Sequence, residues 1–203
     1  MKMSRYLWLV LVIAALDQAV KLVVKLHMLP GESIPVAGDL FRITFVENNG
    51  FAFGLTLSDL FFKLGVDLTS ESAKLWLSLL SVLALAALFY TLWKFAAHRS
   101  PLPWWLAVVI GGALGNVIDR LFYGMWFSEI NTYVGGFLHG RVVDMFFLNP
   151  AQGLFSAPIF NLADVAISLG VFTLLLFQGR FQRIHRKKTA ASLSDDLAGM
   201  PGV

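Results

Sequence analysis

The chain has no cysteine and few charged residues, and both absences exclude classes of protein. Without cysteine there is no disulfide, no thiol nucleophile and no thiolate metal site. Only 14% of the 203 residues are charged, whereas 57% are hydrophobic and the mean hydropathy is +0.70. A typical soluble domain has about a quarter of its residues charged. The composition therefore predicts an integral membrane protein.

Metal-ligand patterns and internal repeats are also lacking. The histidines show no spacing typical of a metal site: His27, His98, His139 and His185. No soluble domain is evident between the apolar segments. We therefore predict a single membrane domain over residues 1–203, mainly α-helical, with no metal and no cofactor.

Four apolar segments are long enough to cross a bilayer, which takes roughly 20 helical residues. They cover about residues 6–26, 75–95, 104–123 and 158–177, and we predict a transmembrane helix for each. The first resembles a signal peptide, but no small-x-small cleavage site follows it, so we interpret it as a retained span. Three glycines within residues 111–115 let another backbone approach the third span closely.

Basic residues predict the orientation of these spans. With four crossings, the basic residues flanking them fall on one side: Lys2, Arg5, Lys94, Arg99, Arg180, Arg183, Arg186, Lys187 and Lys188. The positive-inside rule then puts both termini in the cytoplasm. The net charge of +3 reflects mainly this basic tail against the inner leaflet, and nucleic-acid binding is the poorer interpretation.

This topology leaves residues 30–74 and 124–157 outside the cytoplasm, so function is expected there. Residues 40–46 are rich in β-prone side chains and bounded by turn residues, which predicts a strand of a small sheet. Residues 57–65 predict a short helix lying on the membrane interface. The polar tail, about 184–203, is expected to be disordered.

Two aspartates mark the stretch around which the chain is organised, residues 140–164. Asp144 follows Gly-Arg-Val-Val, and Asp164 follows Pro-Ile-Phe-Asn-Leu-Ala and leads into the fourth apolar segment. Both therefore lie at one membrane boundary, where charge is costly and an ionisable residue suggests function. Two carboxylates that face each other suggest a dyad sharing one proton. In the alternative, Asp144 ends a strand and Asp164 opens a helix, each solvated.

Further polar residues lie within the predicted spans. Asp17 and Lys21 are four apart and share a helix face, which favours a structural ion pair over a catalytic role. In the third span, Asn116 and Arg120 are placed to donate hydrogen bonds to the two aspartates. Asp119 is expected to be a structural partner of Arg120 or of a nearby helix.

Five short motifs occur in a fixed order along the chain. They are Asp17-Gln-Ala-Val-Lys21, Asn48-Asn-Gly-Phe-Ala-Phe-Gly54, Gly115-Asn-Val-Ile-Asp-Arg120, Arg141-Val-Val-Asp-Met145 and Phe160-Asn-Leu-Ala-Asp164. Each motif alone is weak, but five in order around four spans are specific. Over about residues 5–180 the chain closely resembles the lipoprotein signal peptidases, also called signal peptidase II. The resemblance implies an aspartic endopeptidase of the bacterial inner membrane that cuts prolipoproteins before a diacylglyceryl-modified cysteine.

The resemblance also implies roles for individual residues. Asp144 and Asp164 match the family's catalytic pair. Other positions match residues that support the site or bind substrate: Asn48, Gly50, Asn116, Arg120 and Asn161. The family's extracytoplasmic β-cradle corresponds to residues 36–54, with the active site near the extracytoplasmic face. Inhibition by globomycin and contact with membrane lipids are implied as well, and we expect a monomer.

Three other functions are compatible with parts of this pattern. A small proton-coupled transporter also holds Asp, Asn and Arg between helices, but the inverted repeat common in transporters is absent. A serine/lysine peptidase dyad is conceivable at Ser70 and Lys74, although Lys74 is more simply the residue where the second span enters the membrane. A purely structural assembly protein explains the spans but not the convergence of polar residues.

One stretch departs from the family pattern. Residues 123–139 are inserted between the third span and Val-Val-Asp144. Four aromatic side chains in it favour the membrane interface: Trp126, Phe127, Tyr133 and Phe137. The Gly135-Gly136 pair gives the stretch a place to bend, as a lid needs. We expect this insertion to lie at the outer interface and to cover the substrate or contact lipid, without taking part in the chemistry.

Overall fold

The computed structural model describes residues 3–48, 50, 69–97, 100–133, 135–149, 158–177 and 179. The interfacial helix predicted at residues 57–65 and the tail predicted at 184–203 lie outside the described residues.

The helices account for most of the described chain. α1 spans Ser4–His27, α2 spans Ser70–Phe95, α3 spans Leu102–Ile118 and α4 spans Leu162–Phe177. α3 continues through a π-helical turn, Asp119–Tyr123, and a last turn, Gly124–Trp126. The first three helices, counting the extension of α3, are long and apolar enough to cross a membrane. The helices predicted for three of the four apolar segments are therefore confirmed.

The fourth predicted span starts later than expected. Residues 159 and 160 form a short strand, and the helix begins at Leu162. At 1.5 Å per residue α4 covers about 24 Å, less than the roughly 30 Å of a hydrocarbon core. Hydropathy alone placed the start at residue 158 because it does not distinguish an apolar strand from an apolar helix.

One face of α1 is buried in the protein core, and the opposite face is exposed and apolar. Its buried residues recur every three or four positions and form one stripe: Tyr6, Val10, Ala14, Asp17, Lys21, Val24 and Lys25. The opposite face exposes large apolar side chains such as Trp8, Leu11 and Val23. A helix with polar groups inside and apolar groups outside is typical of a membrane protein, because lipid is the outer solvent.

A four-stranded antiparallel sheet lies beyond the helices. β1 spans Ser33–Ala37, β2 Phe41–Asn48, β3 Val142–Leu148 and β4 Ile159–Phe160, paired in the order β1-β2-β3-β4. The predicted strand at residues 40–46 is β2. The register places Val46 opposite Asp144 and Asn48 opposite Val142, and so brings the end of β2 next to Asp144.

Two glycines of α3 permit the close packing that positions the site. A Cβ atom on Gly112 would lie 2.5 Å from the carbonyl oxygen of Ala163, and one on Gly115 would overlap the carboxylate of Asp17. Any larger side chain would push α3 away from the start of α4 or from α1. The glycines predicted to allow a close approach therefore do so at the two helices that carry site residues.

Candidate active site

Asp144 is held by β3 in a buried, amide-lined position. Its strand neighbours Val143 and Met145 pack into the apolar core, so the alternation of a strand turns Asp144 to the other face. The residue Asp144 is 2% exposed. The side-chain amide of Asn48 donates to Oδ2 at 2.8 Å, and that of Asn161 donates to Oδ1 at 2.6 Å.

Asp164 lies in the first turn of α4, and Asn161 caps that helix. The amide N–H of Asp164 donates to Oδ1 of Asn161 at 2.9 Å, while the N–H of Asn161 donates to Oδ2 of Asp164 at 3.2 Å. This reciprocal pair satisfies two backbone donors at the helix start, as in a capping box. The side chain of Asn116 donates to the other carboxylate oxygen at 3.0 Å. The sequence Asn-Leu-Ala-Asp thus fixes the carboxylate through its own helix cap.

Both aspartates line one cavity of about 760 Å³. The buried Asn161 connects their surroundings, because its amide donates to Asp144 and also to Oδ1 of Asn116 at 3.1 Å. Arg120 lines the cavity and donates to the carbonyl oxygen of Gly50 at 3.1 Å. The residues predicted to surround the two aspartates are therefore together in the structure.

The electrostatics of the cavity favour a proton on one carboxyl group. Burial raises the pKa of Asp144 to about 7, and the negative charge of Asp164 adds to this shift. Hydrogen bonds from Asn48 and Asn161 act in the opposite direction. Asp164 lies at a helix N-terminus, a position that suits negative charge. One protonated and one ionised carboxyl group is the state needed to activate a water molecule.

Among the described residues, no group of three or more His, Cys, Asp or Glu side chains could hold a metal ion.

A buried ion cluster lies beneath the cavity. The ammonium group of Lys21 is 2.8 Å from a carboxylate oxygen of Asp17 and 2.8 Å from one of Asp119, and all three side chains are 0% exposed. Lys21 also donates to Oδ1 of Asn116 at 2.8 Å. Within the described chain, the ion-pair partner of Asp119 is Lys21 of α1. Of the two partners expected for Asp119, Arg120 or a nearby helix, the structure shows the nearby helix.

The same ion cluster holds the backbone beside each cavity aspartate. Asp17 accepts the N–H of Ala163 at 2.9 Å, and Ala163 directly precedes Asp164. Asp119 accepts the N–H of Val143 at 3.2 Å, and Val143 directly precedes Asp144. A π-helical turn begins at Asp119, and such turns commonly redirect side chains at functional sites. The cluster thus joins α1 and α3 to both chain segments that carry the cavity carboxyl groups.

Sequence reasoning missed other members of this polar core. Gln18 donates to Asp119 at 2.7 Å and to the carbonyl of Gly115 at 3.1 Å, and it accepts from the hydroxyl of Tyr123 at 3.0 Å. Lys25 forms a buried ion pair with Glu47 of β2. Both residues belong to a long apolar helix, and a polar residue in such a helix usually pairs with a polar or charged side chain of another element.

The insertion is attached to several elements and lies beside the sheet. Asn131 accepts a hydrogen bond from Lys25 at 2.7 Å, and Thr132 donates to Glu47. The carbonyl of Leu138 accepts from Ser78 of α2 at 2.7 Å. Of the part of the insertion that the structure describes, nothing lines the cavity. The expected cover over the substrate is therefore not seen there, and these contacts favour a fixed brace between α1, α2 and β2.

The contacts of the insertion with the buried ion pair predict a loss of stability when they are removed. In the double variant Asn131→Ala/Thr132→Ala, Lys25 and Glu47 each lose a hydrogen-bond partner, and such bonds to charged groups contribute about 1.5–3 kcal/mol. We expect a clearly lower unfolding temperature in detergent, followed by tryptophan fluorescence. Ser128→Ala, at an exposed position of the same stretch, is the matched control. Equal unfolding temperatures for both variants would contradict the brace.

The side chain of Lys74 lies beside an aromatic ring of the insertion. Its ammonium group lies 5.3 Å from the ring centroid of Tyr133, and Lys74 is absent from the residues that line the cavity. The side chain of Ser70 lies outside the described residues. The described geometry thus gives no support to this alternative.

Comparison with known proteins gives a consistent result over most of the chain. The family model described as "Signal peptidase (SPase) II" matches residues 9–179. A lipoprotein signal peptidase of Porphyromonas gingivalis is 34% identical over 195 residues, covering 83% of this chain and 80% of the relative. One of Moorella thermoacetica is 36% identical over 169 residues, covering 83% and 89%.

A solved structure agrees in fold as well. It is a bacterial membrane enzyme determined by the in meso method at 2.3 Å resolution, and it superimposes with a TM-score of 0.61 at 25% identity, covering 88% of each chain. The family model, the two relatives and the solved structure thus agree over most of the sequence. The chain belongs to the signal peptidase II family.

Proposed function

We propose that the protein is an aspartic endopeptidase that removes the signal peptide from diacylglyceryl-modified prolipoproteins, cutting before the modified cysteine. The observation that carries this proposal is the pair Asp144 and Asp164 in one cavity, each held by side-chain amide donors. The names of the relatives support the substrate class. They give no support to a transporter.

In the proposed mechanism one carboxyl group acts as the general base and the other as the general acid. Asp164, at the start of α4, accepts a proton from a water molecule as it attacks the scissile carbonyl. Asp144 carries a proton and donates it to the carbonyl oxygen, where negative charge develops. As the C–N bond then breaks, Asp164 passes its proton to the leaving amine and Asp144 takes back a proton from the intermediate, so both groups return to their starting state and no covalent enzyme intermediate forms. Asn48, Asn116 and Asn161 keep both groups aligned.

The remaining wall of the cavity suits an apolar substrate. It contains Phe160 and Ile159 of β4 and continues along α4 to Ile167 and Leu169. Leu169 is 56% exposed on the outer surface of the helices, so the cavity reaches a face that contacts lipid. A substrate that is itself a membrane helix with acyl chains can enter such a groove sideways from the bilayer. We place Gly50 and Arg120 at the polar end of the groove, where Arg120 donates to the Gly50 carbonyl.

The proposal includes a topology and a location. α4 completes a fourth crossing with the aid of the strand before it, and both termini face the cytoplasm. The site then opens near the extracytoplasmic face of the bacterial inner membrane. We also propose that a monomer carries the activity and that globomycin-type cyclic peptides compete for the groove.

Cleavage of a defined substrate in liposomes tests the function. The purified protein is incubated with a diacylglyceryl-modified prolipoprotein, and the released signal peptide is identified by mass. The same precursor with an unmodified cysteine is the control, and we expect it to remain intact. Equal cleavage of both precursors would contradict the proposed specificity, and cleavage of neither would contradict the function.

The raised pKa of Asp144 predicts the alkaline limit of activity. Burial raises this pKa to about 7, so the proton that Asp144 must donate is lost as the pH rises through that value. We expect kcat/KM to fall about tenfold for each unit above it, since this ratio reports the groups of the free enzyme. The measurement is kcat/KM between pH 5 and 9 in liposomes. A constant value up to pH 9 would show that Asp144 is not the proton donor.

A further inference from the structure

Two cationic side chains share one aromatic ring near the start of α2. The ammonium group of Lys74 lies 5.3 Å from the ring centroid of Tyr133, and the guanidinium carbon of Arg141 lies 4.2 Å from the same centroid. The hydroxyl of Tyr133 accepts the backbone N–H of Arg141 at 3.0 Å, which fixes the ring in place. The two positive charges are therefore held within about one Debye length, roughly 10 Å, of each other.

These charges have no anionic partner in the part of the chain that the structure describes. The ion pairs found there involve other residues: Lys21 with Asp17 and Asp119, Lys25 with Glu47, and Arg42 with Asp39. Glu71 acts on Lys74 through its charge but does not form an ion pair with it. Burial raises the pKa of Tyr133 to about 12, so the phenol stays neutral and supplies no negative charge.

Arg141 also has an unused donor. Its Nε atom is buried and has no hydrogen-bond partner among the described residues. A buried donor without a partner is destabilising, and two like charges at short range repel each other. An anion with several acceptor oxygens placed beside the ring would satisfy the donor and neutralise the repulsion. Arginine and lysine are the usual residues for binding such an oxyanion.

The surroundings indicate where the anion comes from. Directly after Lys74, α2 presents exposed apolar side chains toward the lipid, including Trp76 at 53% and Leu83 at 65% exposure. Tryptophan at a helix end is typical of the headgroup layer. The two cations and Glu71 together carry one net positive charge, which matches a phosphodiester with one negative charge.

We propose that Lys74, Arg141 and Tyr133 form a binding site for the phosphate group of an anionic phospholipid. The lipid connects α2 to the insertion through Tyr133 and to the segment that leads into β3 through Arg141. Its acyl chains lie along the exposed apolar face of α2. This site is separate from the cavity of Asp144 and Asp164, because none of its three residues lines that cavity.

Lipid titration by native mass spectrometry tests the site without measuring cleavage. The detergent-solubilised protein is titrated with phosphatidylglycerol and, in parallel, with phosphatidylcholine. The variants are Lys74→Gln, Lys74→Gln/Arg141→Gln and the control Lys94→Gln, an exposed lysine near the other end of α2. We expect tight binding of phosphatidylglycerol to the wild type and to the control. The double variant should bind it roughly tenfold more weakly or worse, and the single variant should be intermediate.

Several results would overturn the proposal. Equal binding of phosphatidylglycerol by all four proteins, or equal binding of phosphatidylcholine by the wild type, would show that charge at this site does not select the lipid. Displacement of the lipid by an equimolar amount of inorganic phosphate would show that a free anion, not a lipid, is the ligand. If the double variant does not fold, the test rests on Lys74→Gln alone, since Lys74 forms no ion pair within the described chain and its loss leaves the ion pairs found there intact.

Discussion

Replacing either Asp144 or Asp164 by asparagine is expected to abolish cleavage. Asparagine keeps the size of the side chain but can neither take a proton from water nor hold one for the leaving group. General acid–base catalysis alone contributes about 10²–10⁴-fold to a rate, and in the proposed mechanism each carboxyl group serves in both steps. We therefore expect kcat to fall by at least about 10³-fold in each variant. The measurement is release of signal peptide from a diacylglyceryl-modified prolipoprotein.

Folding of these variants must be checked separately. Both oxygens of each carboxylate accept hydrogen bonds, so an asparagine NH₂ would face a donor of Asn48, Asn161 or Asn116. Such a mismatch costs about 1–3 kcal/mol unless a neighbouring amide turns over. Asp39→Asn is the matched control, because its side chain is 85% exposed and lies in the sheet connection between β1 and β2. Substantial activity in folded Asp144→Asn or Asp164→Asn would remove that residue from the chemistry.

The long helices were predictable because the bilayer imposes one simple condition on them. A segment that crosses lipid must be apolar over roughly 20 residues, whatever it packs against. This condition located α1, α2 and α3 to within a few residues. The start of α2 was placed at residue 75, whereas Thr69 caps the helix by accepting the N–H of Ser72 at 3.2 Å. Hydropathy does not detect the first turn of α2 because the residues of that turn are polar.

The sheet was harder to predict because its partners are distant in sequence. β2 pairs with β3 across more than 90 residues, and Asn48 reaches Asp144 only through this pairing. The run Val142–Leu148 does not alternate apolar and polar residues, so it lacks the period that identifies a half-buried strand. β4 has 2 residues, too few to carry any periodic pattern.

Side-chain partners in the polar core are predictable only where the two residues are close in sequence. The spacing of Asp17 and Lys21 indicates contact because residues four apart share a helix face. Adjacent residues such as Asp119 and Arg120 do not face each other on a helix, and their spacing therefore leaves open whether Asp119 pairs with Arg120 or with a nearby helix. That Lys21 of α1 meets Asp119 of α3 depends on how two helices pack, and a single sequence does not reveal this.

Replacing Lys21 by methionine is expected to have the largest effect on stability. Its ammonium group has three acceptors, each at 2.8 Å: a carboxylate oxygen of Asp17, one of Asp119 and Oδ1 of Asn116. Methionine fills a similar volume but leaves two carboxylates that are 0% exposed without a counter-charge. Removing one partner of a buried ion pair costs about 3–5 kcal/mol.

A loss of that size should also displace the cavity aspartates, because Asp17 and Asp119 hold the backbone N–H groups beside them. We expect Lys21→Met to unfold at a much lower temperature in detergent than Lys94→Met, which removes an exposed lysine of α2. Adding Asp17→Asn and Asp119→Asn to Lys21→Met removes the unpaired charges and keeps side-chain oxygens for both N–H groups, so it should restore part of the stability. Equal unfolding temperatures for Lys21→Met and Lys94→Met would show that the cluster contributes nothing to the fold. If the triple variant is no more stable than Lys21→Met, the cost does not come from buried charge.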